Sequence, residues 1–224
     1  MAGLLGKIAH VAGRLEDAVA RYAEAKDSEP DANVAHAFLT RRTLSTPGIV
    51  TCAPKSSAIV SVTAKNVERV SIMIYPVDLG VLFAVRKSFD ALNRADLSGI
   101  APATSAEHGL GMRKYVGGSV DVKLSELGEG AYLAVVTDGE RSATTLVVVT
   151  ALAIRVDRVD GNAYAYLTDG EGRPVEGARV SLGVDGRVIY CGDTDQRGSV
   201  GLGVIPDRVT VVAEKGAGVA VTRE

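Results

Sequence analysis

The sequence predicts a mainly β protein, two consecutive antiparallel β-sandwiches behind an N-terminal α-helical hairpin. Three observations carry that prediction. From residue 152 onward, seven short apolar segments are separated every eight to twelve residues by Asp-Gly and related turns. That is the rhythm of an antiparallel sandwich. Between residues 59 and 149 the apolar residues either alternate or form short runs, which is strand grammar. Residues 1–43 instead repeat apolar side chains every three or four positions, the period of a helix.

The composition is compatible with that architecture and excludes several others. The 224 residues are 46% hydrophobic, enough for a substantial core and too apolar for a disordered chain. A formal net charge of −2 removes the polybasic surface that neutralises nucleic-acid phosphates. No apolar run approaches the roughly 20 residues of a membrane span. The partners expected are other protein domains or subunits, with no nucleic acid and no membrane span.

The helical lead reads as three short helices, about 2–11, 15–27 and 31–42. Leu4, Ile8, Val11, Leu15, Ala18 and Tyr22 recur as one apolar face. Glu16 and Asp17 suit the positive end of a helix dipole, and Pro30 suits a first turn. Val34, Phe38 and Leu39 give the third helix its apolar stripe.

At Ser45-Thr46-Pro47-Gly48 the period changes. Ile59, Val60 and Val62 begin the strands, and Val70, Ile72 and Ile74 share one face of the next. Asp78-Leu79-Gly80 opens an expected helical insertion with Leu82, Phe83, Val85, Phe89 and Leu92 on its apolar side. Residues 94–111 are small and polar and are expected to form a surface loop. Strands resume at 115–124, 131–137 and 144–149. The domains expected are thus 1–44, 45–150 with an insertion near 78–111, and 151–224.

In the last of these, strands are expected near 152–158, 162–168, 178–184, 187–191, 198–204, 208–214 and 217–222. Asp160-Gly161, Asp169-Gly170 and Asp185-Gly186 separate them, because Asp-Gly supplies the positive φ of tight hairpins. Asp195 is placed to bond backbone amides of its own turn, with Gly198 closing it.

Two resemblances follow from these stretches. Leu5-Gly6, Gly13, Ala18, Tyr22, Ala25 and Pro30 are similar to the small-and-large packing positions of a tetratricopeptide repeat. Such a repeat needs neighbours to bury its faces. Residues 64–79 (AKNVERVSIMIYPVDL), 127–139 (LGEGAYLAVVTDG) with 146–156, and 165–182 with GDTDQRG at 192–198 resemble the macroglobulin-type domains of the bacterial α2-macroglobulin family. The resemblance implies immunoglobulin-like sandwiches in a protease-inhibitor scaffold of the cell envelope or secreted space. It also implies proteases as partners of a full-length protein. The family's Cys-Gly-Glu-Gln thioester segment has no match here: Cys191-Gly192 is followed by Asp193-Thr194.

No catalytic, cofactor-binding or metal-ligating residue is expected. Cys52 and Cys191 lack zinc or disulfide-framework spacing, and His10, His36 and His108 are scattered. Asp193, Asp195 and Gly198 lack the remaining ligands of a calcium loop. The pairs Asp157/Asp160 and Glu126/Glu129 read as solvated loop charge, and Gly117-Gly118 and Gly201-Leu202-Gly203 as strand bulges or points of tight packing. Residues 1–22 lack an uninterrupted apolar signal core, which implies the cytoplasm if the chain is complete. The function expected is a non-catalytic structural and protein-interaction module. The alternatives are a self-assembling protein pairing its sandwich edges, or a ligand-binding accessory module.

Overall fold

The structure, a computed structural model, describes residues 1–79, 99–184, 187–207, 209–216 and 218–223. The apolar insertion expected from Gly80 to Leu92 and the Asp185-Gly186 turn lie outside the described residues.

Helices α1 (Ala2–Val11), α2 (Leu15–Ala25) and α3 (Pro30–Thr40) form the lead. Their packing face on α1 is not the expected Leu4-Ile8-Val11 stripe, which lies in solvent at 61%, 52% and 91% exposure. Gly3, Gly6 and Ala9 are buried instead. A Cβ on Gly6 would stand 2.7 Å from the Tyr22 ring, so α1 approaches α2 at van der Waals distance because its inner face carries nothing larger than the methyl of Ala9. Tyr22 then fills the core together with Ala18, Ala25, Ala32 and Leu39. On α3, Leu39 is buried, whereas Val34 and Phe38 are exposed.

Fifteen strands follow among the described residues. In the first sandwich, β1 (Thr43–Ser45), β3 (Ile59–Lys65) and β6 (Gly118–Lys123) form a sheet in the order β1-β3-β6. Facing it are β2 (Ile49–Cys52), β4 (Arg69–Val77), β5 (Thr104–Gly109), β7 (Gly130–Thr137) and β8 (Ser142–Val149). Their order is β2-β8-β7-β4-β5. β2 runs parallel to β8, a departure from the all-antiparallel expectation. Residues 104–109, expected as loop, pair antiparallel with β4 as an edge strand. An edge strand exposed on most of its surface carries no apolar alternation to announce it.

The second sandwich holds β9 (Ala153–Val159), β10 (Asn162–Thr168) and β13 (Ser199–Gly203) in the order β13-β10-β9. Its other sheet is β12-β11-β14-β15, built from β11 (Arg179–Val184), β12 (Arg187–Asp193), β14 (Thr210–Lys215) and β15 (Gly218–Arg223). All seven expected strands are present.

Three apolar cores lie between the four sheets. Val60, Val62, Ile72, Val136 and Val147 fill the first sandwich. Leu167, Val180, Leu182, Val211 and Ala220 fill the second. The third core joins the sandwiches: Tyr75, Leu133, Leu146 and Val148 meet Val212, with Val219 and Val221 beside them. This explains Leu146-Val147-Val148-Val149, an unbroken apolar run rather than an alternating one. Its odd and even members enter different cores, and all four are fully buried. A sheet covered on both faces needs apolar residues on both.

Candidate functional site

The polar groups that do the most in this molecule stand at its joints. The first joint links α3 to the β3–β4 turn. Asn66 sits in that turn at φ 56°, a left-handed conformation that asparagine tolerates better than most residues. Its Nδ2 donates to the carbonyls of Leu39 (2.7 Å) and Arg41 (3.0 Å), and its Oδ1 accepts from the Tyr115 amide at 2.7 Å. Tyr115 is itself left-handed, at φ 64°. Lys65 Nζ donates to the Phe38 carbonyl at 2.7 Å and lies 4.1 Å from the centre of the Phe38 ring. Partial burial pushes its ammonium pKa down. The last carbonyls of α3 lack intrahelical partners, and these two side chains of the sandwich supply them.

Arg42 completes the joint. Its guanidinium reaches Asp138 at 3.1 Å and Glu140 at 2.9 Å in the β7–β8 turn. The Asp138 side chain is 1% exposed, and its Oδ1 accepts from the amides of Glu140 and Arg141 at 3.0 and 2.7 Å. Burial opposes its charge. The amides of Arg141 and Glu140, with the Arg42 and Arg141 guanidiniums, outweigh that and hold the carboxyl below its ordinary range. A cleft of about 540 Å³ opens beside this joint, lined by Thr40, Arg42, Asn66, Arg69, Lys114 and Tyr115.

The second joint knots the two motifs of the second sandwich. Thr194 is buried; its hydroxyl donates to the Val175 carbonyl (2.6 Å) and accepts from the Ala178 amide (2.9 Å). The backbone repeats the tie through Gly177 N to Thr194 O and Thr194 N to Ala178 O. Asp195 Oδ1 accepts from the Arg197 and Ser199 amides, as expected for its turn. Gly198 stands at φ 70°, and a Cβ there would lie 2.4 Å from the Leu167 carbonyl. That carbonyl accepts from Val175, and the Gly198 carbonyl accepts from Leu167.

The other residues singled out in the sequence stand apart. Cys52 and Cys191 are free, half-buried thiols in different sandwiches, and burial pushes the Cys191 thiol pKa up. His10 meets Tyr22 edge-on, and His108 sits opposite Val70 on β5. Asp157 pairs with Arg155 at 2.8 Å, and Asp160 occupies the left-handed turn before Gly161. Glu129 accepts from the Ala151 amide. Among the described residues no three metal-ligating side chains gather. Sequence reasoning missed the roles of Asn66, Arg42, Asp138 and Thr194, whose partners are distant in the chain. The Asn66-Val67 pair and the Thr194-Asp195 pair stood inside the quoted motifs, which was the available signal.

No family model and no curated protein matches the chain. Solved structures do. Native alpha-2-macroglobulin from Escherichia coli spanning domains MG0-NIE-MG1 is similar at 17% identity and TM-score 0.63, over 82% of this chain and 64% of that one. A structure of the same protein spanning NIE-MG1 is similar at 18% and 0.59, over 82% and 97%. Salmonella alpha-2-macroglobulin reacted with methylamine is similar at 16% and 0.60, over 82% of this chain and 12% of that one. The chain therefore spans less than two thirds of the first and about an eighth of the last. The β portion of this protein has the macroglobulin-type sandwich fold seen in bacterial alpha-2-macroglobulins.

Proposed function

We propose that the chain is a non-catalytic structural and protein-interaction module, a piece of macroglobulin-type scaffold without the thioester. The observation that carries this reading is the core shared by the two sandwiches, in which Tyr75, Leu133, Leu146 and Val148 pack on Val212. A core shared between two units couples their positions, so the loops of one are held in register with those of the other. Asn66 and Arg42 extend the same rigidity to the helices. Cys191-Gly192-Asp193-Thr194 supplies no glutamine acyl group, so the chain forms no acyl bond to a captured protease. In a full-length protein it would position neighbouring domains for contact with proteases. The helical lead acts as a repeat-like unit whose outward face meets further protein.

The test is scanning calorimetry with a parallel activity panel. Expected are one cooperative transition covering both sandwiches, and no chain-dependent turnover of ester, peptide or glycoside substrates. Two well-separated sandwich transitions, or turnover that follows the chain through purification, would overturn the reading.

A further inference from the structure

The edges of the four sheets differ in how they face water. β9 carries Arg155, Asp157 and Arg158; β6 carries Asp121 and Lys123; β5 carries Glu107 and His108. β13 is interrupted by Gly201 and Gly203, and β1 and β2 are three and four residues long. β15 turns Val219 and Val221 into the shared core. Charges, glycines, shortness and cover are the ordinary ways a protein stops its edges from pairing with another chain. β12 carries a charge at each end, Arg187 and Asp193, with Gly192 beside the latter, but its middle has none of these. Val188, Ile189 and Tyr190 are consecutive and 38%, 49% and 55% exposed, beside an edge whose only sheet neighbour among the described residues is β11.

We propose that β12 pairs antiparallel with β12 of a second copy, about a two-fold axis at Ile189. The register on β11 assigns the faces: Val188 and Tyr190 stand opposite Gly183 and Ser181 on the outer side, and Ile189 opposite Leu182 on the core side. In the two-fold arrangement each Val188 lies against the partner's Tyr190, and Ile189 lies against its own mate. Aromatic–β-branched and β-branched pairs are the favourable cross-strand combinations. Arg187 then faces the partner's Cys191, so no like charges are directly opposed. The Tyr190 ring is already fixed along the outer face, by its hydroxyl bond to Asp193 (3.0 Å) and by the Arg179 guanidinium 5.3 Å from the ring centre. The register break at Tyr190-Cys191-Gly192 ends the regular pairing there. The result is one eight-stranded sheet continuous across the two copies. So short an edge buries well under the roughly 1,000 Å² of a stable interface, so the dimer is weak and concentration-dependent.

Sedimentation equilibrium and thiol trapping test this. The chain is expected to show a reversible monomer–dimer equilibrium at concentrations up to about 1 mM, the range of weak association. Ile189→Lys places two ammonium groups against each other and abolishes the dimer, with the unfolding midpoint unchanged because the site is half exposed. In a Cys52→Ala, Cys191→Ser background, Ile189→Cys gives a disulfide-linked dimer on mild oxidation and Val188→Cys stays mostly monomeric. A monomer throughout, a dimer indifferent to Ile189→Lys, or equal trapping through residue 188 would each overturn the proposal. The inference builds on the interaction-module reading but fails separately from it. Calorimetry on dilute monomer tests the shared core, and association tests the edge.

Discussion

Gly198 is the position where a single atom has the greatest consequence. Its backbone is left-handed, and an added Cβ would meet the Leu167 carbonyl well inside contact distance. Gly198→Ala is expected to cost about 3–5 kcal/mol, from backbone strain plus a clash that the Leu167–Val175 pairing prevents from relaxing. Urea denaturation measures it. Thr194→Val, nearly the same shape, leaves the Ala178 amide and the Val175 carbonyl each short of a partner. The expected loss is about 2–3 kcal/mol, and Thr194→Ser should recover most of it because the hydroxyl returns. The glycine's turn was legible in Asp195 and Gly198 of the GDTDQRG stretch. The threonine's role was not, since its two partners lie in another loop.

At the scale of elements, the sequence placed strands more reliably than faces. Residues 162–168 read as a strand and are one, because a half-buried strand alternates in plain view. For α1 the period was right and the face was wrong. Leu4, Ile8 and Val11 marked a stripe, yet the neighbour packs where Gly3, Gly6 and Ala9 allow close approach. Hydropathy cannot register a contact made through the absence of side chains. The end of α3 likewise depends on another element. Asn66→Ala removes three hydrogen bonds and leaves alanine at φ 56°, with an expected cost of about 2 kcal/mol. The amides of α3 should exchange faster with solvent while those of β10 keep their protection.

The Arg42–Asp138 pair adds a pH dependence to the same joint. The Asp138 carboxyl is held below its unfolded value of about 3.9. Its contribution is therefore complete above that value and lost as pH falls through the lower folded one. Asp138→Asn is expected to cost about 1–3 kcal/mol at neutral pH and much less in acid, where the wild-type carboxyl also becomes neutral. Thermal melts between pH 2 and pH 7 would show the two curves converging.

On the scale of the whole molecule, the sheet stack rests on the core between the sandwiches. Val212→Asp buries an unpaired carboxylate there and should split the single calorimetric transition into two, lowering the first by several degrees. Glu214, near that contact on β14, has the opposite sign to Asp138. Burial first, then the charge of Asp78, raises its pKa, with Arg179 partly offsetting them. Stability linked to Glu214 is full below the unfolded value of about 4.3 and falls as pH rises through the folded one. Glu214→Gln should therefore raise the melting temperature slightly at pH 7 and leave it unchanged near pH 3.

What the sequence determined by itself was local: strand period, the Asp160-Gly161 turn, the Asp195–Gly198 turn and the helical lead. Each of those depends on neighbours a few residues away. Only the tertiary structure decided which face of α1 packs, which side chains finish α3, that Val212 closes a third core, and that β12 has β11 as its one sheet neighbour among the described residues. Those outcomes depend on groups brought together from distant parts of the chain. Their energies belong to pairs, and no single stretch of sequence contains both members.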